Sequence, residues 1–290
     1  MTYIAHILVM ASIFSTIAVS LNLTAGHSGL ISVCQAAFFA VGAYSTAILT
    51  TAHGWPWEAS VCAGACVAIA VSLCVGRVAL RLGQQTFVLA TFALQMIMFH
   101  VLQNWSDVTG GALGIPGVPM ASAVGLQASP GLPALLLAGS AAVFAVLCVS
   151  HITRTPYGRV LRGIREDEPL MQSACKNTLR FKLNVFVLSA VFASISGSIY
   201  ASYAGYVDPS SFTIHDSIFM LAIVIIGGTG STRGAVLGAV VLVGFPEALR
   251  FVGMSSSVAA NVRQLLYGVL LVGCMLWRPQ GLLGKYPMCE

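Results

Sequence analysis

Residues 132–152 read LPALLLAGSAAVFAVLCVSHI, 21 positions without an Asp, Glu, Lys or Arg, and residues 153–182 continue as TRTPYGRVLRGIREDEPLMQSACKNTLRFK. The first stretch is long and apolar enough to cross a hydrocarbon layer, which takes about 20 such residues. The second gathers seven of the fourteen basic residues of the chain: Arg154, Arg159, Arg162, Arg165, Lys176, Arg180 and Lys182. Basic connections between apolar spans stay on the cytoplasmic side. This one passage therefore predicts a membrane helix coming in, a cytoplasmic loop, and a second helix leaving at 183–203.

Working outward, the same pattern recurs at 4–21, 30–50, 59–78, 86–102, 214–226, 235–249 and 262–277. The expectation is an all-α polytopic bundle of eight or nine transmembrane helices, forming a single permease domain over 1–290. The segments 214–226 and 235–249 are short and are separated by Gly227-Gly228-Thr229-Gly230-Ser231-Thr232-Arg233-Gly234, the pattern of broken helices whose ends line a cavity. Arg77 and Arg81 mark a second cytoplasmic turn, and Arg278 with Lys285 place the C-terminus inside. Two spans then lie between Arg81 and Arg154, and four between Lys182 and Arg278, which leaves Arg250 and Arg263 outside. The N-terminal apolar run lacks a basic flank and reads as a first membrane helix, not a cleaved signal. The Gly-rich connection 103–131, with Asp107 as its one charge, faces outward and dips back. Two glycine-punctuated stretches, 26–42 and 227–244, hint at related halves.

Composition agrees: 57% of the residues are hydrophobic, 8% are charged and the mean hydropathy is +0.88, against about 25% charged in a soluble domain. No Lys/Arg cluster interleaved with aromatics suggests nucleic acid. The eight cysteines form no CxxC pair and sit mostly in apolar runs, as small packing residues. Six scattered histidines show no metal-ligand spacing, and neither HExxH nor GxSxG occurs. The 227–231 turn resembles a phosphate nest but lacks the Lys of a P-loop. Asp216 and Glu247 lie near segment ends, so the bundle interior has no carboxylate relay for a self-powered pump. The chain reads as a transport subunit and not an enzyme, with no cofactor or metal of its own; any energy comes from another subunit.

In the loop, the run Glu166-Asp167-Glu168 followed by Pro169 predicts a short helix with acidic residues at its positive end. Such a loop either docks a cytoplasmic partner or only sets topology.

The blocks Tyr157-Gly158-Arg159, Arg162, Arg165-Glu166-Asp167-Glu168, Asn177-Thr178 and Lys182-Leu183 resemble the permeases of branched-chain amino acid ABC importers, the LivH/LivM group, on its LivM side. Further blocks agree in order: Leu21-Asn22-Leu23 with Gly26 and Gly29; Ala37 through Tyr44; Asn104-Trp105 with Thr109-Gly110-Gly111 and Gly114-Ile115; Gly227-Gly228, Gly230-Ser231, Gly234 and Leu237-Gly238-Ala239 with Pro246-Glu247; and Arg278-Pro279-Gln280-Gly281-Leu282. The resemblance implies an inner-membrane importer of two permeases and two ATPases that use the ATP, fed by an extracytoplasmic binding protein. It also implies that 153–182 is the coupling loop, with Arg165, Glu166, Asp167, Glu168 and Asn177 contacting the ATPase. Where the family usually has Gly, this chain has Cys175. Gly110, Gly111, Gly227, Gly228 and Gly230 are candidate pathway positions, or else simply sites of close helix packing. Relatives that carry amides or urea, a self-powered channel or secondary transporter, and a membrane scaffold remain alternatives.

Overall fold

The computed structural model describes residues 2–81, 83–123, 126–127, 132–250, 268–269, 272–273 and 281–284. Most of the expected span at 262–277 and all of Arg278-Pro279-Gln280 lie outside the described residues, as do Arg263, Lys285 and the side chains of Glu247 and Arg250.

The described chain is helical: α1 Thr2–Asn22, α2 Gln35–His53, α3 Trp57–Ala79, α4 Gln84–Asn104, α5 Ser106–Thr109, α6 Leu132–Arg154, α7 Pro156–Glu166, α8 Glu168–Ser173, α9 Thr178–Ala204, α10 Ile214–Gly227 and α11 Thr232–Arg250. Four two-residue strands add two small ribbons, β1 Ile115–Pro116 with β4 Tyr206–Val207, and β2 Ser122–Ala123 with β3 Leu126–Gln127. Six segments are long and apolar enough to cross a membrane: Ile4–His27, Trp57–Ala79, Gln84–Asn104, Leu132–Arg154, Thr178–Ala204 and Pro209–Gly227. α2 and α11 are 19-residue helices outside that set, α2 because Gln35, Tyr44, Ser45, Thr46, Thr50 and Thr51 dilute its apolar character.

α9 is the axis of the bundle. Its apolar window is 72% buried against 22% for α6, so α9 is enclosed while α6 presents most of its surface outward, the arrangement expected of a lipid-facing helix. The α9 sequence explains this: Ser189, Ser194, Ser196, Gly197, Ser198 and Ser202 are small and buried. Gly42 of α2 faces the backbone of Ser194, and Gly197 of α9 faces the backbone of Phe39 and Ala43. With no Cβ on either side the two helices approach backbone to backbone, the usual means of helix association where lipid removes the hydrophobic drive.

α2 differs from the expected 30–50 span, because its helix begins only at Gln35. α1 runs on through a π-helical turn at Leu23–His27, Gly29 takes φ +71°, and the Leu30 N–H donates to Thr24 O at 3.1 Å. The start of α2 is thereby buried in the bundle, where its free N–H groups need partners. Side chains of other helices supply them: the Ala36 N–H donates to Ser217 Oγ at 2.9 Å and the Ala37 N–H to Gln95 Oε1 at 2.7 Å. Ser217 also donates to Gln95 Oε1 at 3.0 Å, and Gln95 Nε2 donates to Phe212 O at 2.9 Å. Gln35 Nε2 reaches Ser189 Oγ at 3.0 Å. Thus α2, α4, α9 and α10 are joined by a buried polar network.

α10 is only 14 residues long. It is preceded by the 3₁₀ turn Pro209–Ser211 and starts in a capping box in which Asp216 accepts from the Thr213 N–H at 2.9 Å. Asp216 is thus a helix cap. The cysteines divide: Cys34 is buried, whereas Cys62, Cys66 and Cys74 are exposed along α3. A residue with one face to lipid is apolar without being core, which the sequence pattern alone does not separate.

Candidate coupling site at the basic end of the bundle

The loop 153–182 folds into two helices. Pro156 sits at the start of α7, where its missing N–H costs nothing. α7 is amphipathic: Gly158, Leu161 and Ile164 are buried against the bundle, while Arg159 and Glu166 face out. Asp167 breaks the helix with extended backbone and caps α8, its Oδ1 accepting from the Leu170 N–H at 2.9 Å. The acidic run therefore does two jobs, ending α7 and starting α8.

The hairpin is fastened to the bundle at three points. Glu168 pairs with Lys182 of α9 at 2.5 Å; Lys182 is 9% exposed, so loss of Glu168 would strand a cation. Tyr157, its phenol pushed up by burial, donates to Phe181 O at 3.2 Å and stacks near that ring. Arg165 donates to the carbonyl of Gly26, in the π turn that ends α1, and its side chain lies against Gly29. Asn177 caps α9, its Oδ1 accepting from the Arg180 N–H at 3.2 Å.

From Gly26 the path continues. Gly26 packs against Gly230, and the Gly230 N–H donates to Asn22 Oδ1 at 2.9 Å. The α10–α11 turn, with Gly228 at φ +109° and Gly230 at φ +78°, is therefore held on the end of α1. The returning chain closes the same end: the Leu282 N–H donates to Ile226 O at 2.9 Å and the Leu283 N–H to Gly227 O at 3.1 Å. The two glycine-punctuated stretches noted in the sequence meet here.

Gly110 and Gly111 lie at the opposite end. They take φ +73° and +57° in the turn after α5, and Gly114 packs on Val207 past the end of α9. The loop is clasped there by the β1–β4 ladder and by the Gly117 and Val118 N–H groups, which both donate to Gly205 O at 3.1 Å. The five candidate glycines thus form two separate groups, one at each end.

Two features of the candidate site were not legible. Leu170, on α8, is 64% exposed outside any apolar span, and no residue of α8 is buried. Its signal is a large apolar residue beside Pro169 within a polar loop. The Arg165–Gly26 bond joins positions 139 apart in sequence, and nothing local marks it.

Cys175 follows α8 at φ +57°, the only non-glycine residue with positive φ among the described residues. A side chain there costs about 1 kcal/mol relative to Gly. Cys175→Gly is expected to raise hairpin stability by about that amount and to slow proteolysis within 153–182, which limited proteolysis in detergent measures.

Residues 3–275 match the family of permease components of branched-chain amino acid transport systems. The chain belongs to this family. This permease is 32% identical to the high-affinity branched-chain amino acid transport system permease protein LivM of Salmonella typhimurium, over 94% of its own length and 68% of that protein's. The LivM of Escherichia coli matches equally. The corresponding LivH of Escherichia coli is 25% identical over 95% of this permease and 92% of LivH. No solved structure matches this permease. It is a multi-pass membrane protein, and its basic-end hairpin lies within the matched region.

Proposed function

We propose that this permease is the transmembrane subunit of an ATP-binding cassette importer in the cell inner membrane. In this reading it pairs with a second permease and carries branched-chain, hydrophobic amino acids delivered by an extracytoplasmic binding protein. ATP is bound and hydrolysed by separate ATPase subunits, and this chain needs no cofactor. The basic end faces the cytoplasm, because it carries Arg77, Arg81 and the residues between Arg154 and Lys182.

The observation that carries this reading is the continuous route from the α7–α8 hairpin through Arg165, Gly26 and Asn22 to the α10–α11 turn. An ATPase closing on Leu170, Glu166 and Arg159 would push a hairpin fixed to α9 by Glu168–Lys182 and to α1 by Arg165. A rigid displacement of those contacts reaches the short helix α10, whose polar start reaches the buried network around Gln95. Two arrangements of this connected set give alternating access. Selectivity rests mainly with the binding protein.

The test is purification of the tagged permease from its native membrane in mild detergent. ATPase subunits and a second permease should co-purify, and Leu170→Asp should lose the ATPases about tenfold while keeping the permease partner. A permease recovered without ATPase in several detergents sinks the importer reading.

A further inference from the structure

The basic end holds a second cluster, apart from the fastened hairpin. α3 ends with Arg77 and Arg81 beside it, and α9 begins with Arg180; between them lies a cavity of about 230 Å³. Gly76, Leu80 and Leu183 form its floor, and the three arginines stand exposed on its rim. Asn177 also borders it, but its side-chain oxygen is engaged in capping α9. Among the described residues no carboxylate pairs with Arg77, Arg81 or Arg180.

Three guanidinium groups around one small cavity repel one another unless an anion sits among them. Each presents a planar fork of donors that matches phosphate oxygens. The surroundings narrow the source of that phosphate. The floor is apolar, Val78 and Leu179 are exposed alongside at 65% and 40%, and α3 is only 28% buried, so the cavity opens beside a lipid-facing helix at its charged end. Acyl chains running down that helix would place a headgroup at the arginines, the setting in which basic pockets between membrane helices take anionic lipid. We infer that the cavity between the end of α3 and the start of α9 binds the phosphodiester headgroup of an anionic phospholipid. The inference rests on the membrane-spanning fold and not on the importer reading.

The experiment is native mass spectrometry of the full-length permease, delipidated in neutral detergent and titrated with dioleoyl phosphatidylglycerol, dioleoyl phosphatidylcholine or inorganic phosphate. One phosphatidylglycerol should be retained about tenfold more strongly than phosphatidylcholine. The triple variant Arg77→Gln/Arg81→Gln/Arg180→Gln should abolish that preference, and Arg233→Gln, which lies outside the cavity, should keep it. If the triple variant does not fold, Arg180→Gln alone should weaken the preference measurably. Equal retention of the two lipids, or a preference unchanged in the arginine variants, overturns the proposal. Displacement of phosphatidylglycerol by an equal concentration of phosphate also overturns it, in favour of a free-anion site. Loss of co-purifying ATPase with lipid retention intact would instead make the cluster a protein-docking surface.

Discussion

Gly26→Ala is expected to abolish transport and to destabilise the permease by about 2–6 kcal/mol. A Cβ at position 26 would fall 2.5 Å from the Gly230 nitrogen and onto the Asn22 side-chain oxygen that this nitrogen bonds. Overpacking of this kind costs about 1–3 kcal/mol, and a buried N–H left without its acceptor costs about 1–3 kcal/mol more. The neighbours cannot relax cheaply, because one is backbone and the other is the oxygen that accepts from the Gly230 N–H. The lesion also lies beside the Arg165 contact, so the hairpin and the α10–α11 turn lose their shared support together. Thermal unfolding in detergent and uptake in membrane vesicles measure the two effects. Gly139→Ala is the control, since nothing lies within 4 Å of the added carbon. It should be neutral, or stabilising by about 0.5–1 kcal/mol through helix propensity.

The second large effect is expected from Gln95→Leu. Removing the amide strands the Ser217 hydroxyl and the Phe212 carbonyl, and leaves the Ala37 N–H only its bond to Cys34 O at 3.2 Å. At about 1 kcal/mol for each stranded group, the low end of the range, the loss is about 2 kcal/mol. A hydrogen bond between membrane helices contributes less than this on average, because the unfolded chain in lipid finds other partners. The Phe212 carbonyl has no other donor among the described residues, so the larger figure applies. The variant should also uncouple α10 from α2 and α4, lowering uptake as well as stability. Gln103→Leu, on the exposed face near the end of α4, should change neither by more than about 0.5 kcal/mol.

These two sites show where the sequence is and is not readable. Apolar length alone located α3, α4, α6, α9, α10 and α11 to within a few residues, because burial in lipid imposes a composition on every turn of a spanning helix. The loop 153–182 was equally legible, since its charges have no other place in such a chain. The late start of α2 was not, because residues 30–34 are as apolar as the helix they precede, and Gly29 together with the Leu30–Thr24 bond decides the boundary. Gln95 is a single amide within the apolar run 86–102. Its importance comes from three partners that other elements bring to it. The glycine clusters at 110–111 and 227–230 look alike in sequence, and only the fold places them at opposite ends, one clasping α9 and the other meeting Asn22 and Gly26. Lys182 was readable as a basic marker of topology, but not as the partner of Glu168, because that pair depends on the reversal of the chain between α8 and α9.

The central claim is that the α7–α8 hairpin transmits ATPase motion to the bundle. Glu166 tests it most directly, since it is exposed on the hairpin and its side chain makes no hydrogen bond or ion pair among the described residues. The measurement is ATP-dependent uptake of radiolabelled leucine by membrane vesicles carrying either the native permease or Glu166→Lys at equal levels. The account predicts uptake reduced at least tenfold in the variant, with its unfolding temperature unchanged. Uptake equal to that of the native permease would contradict it.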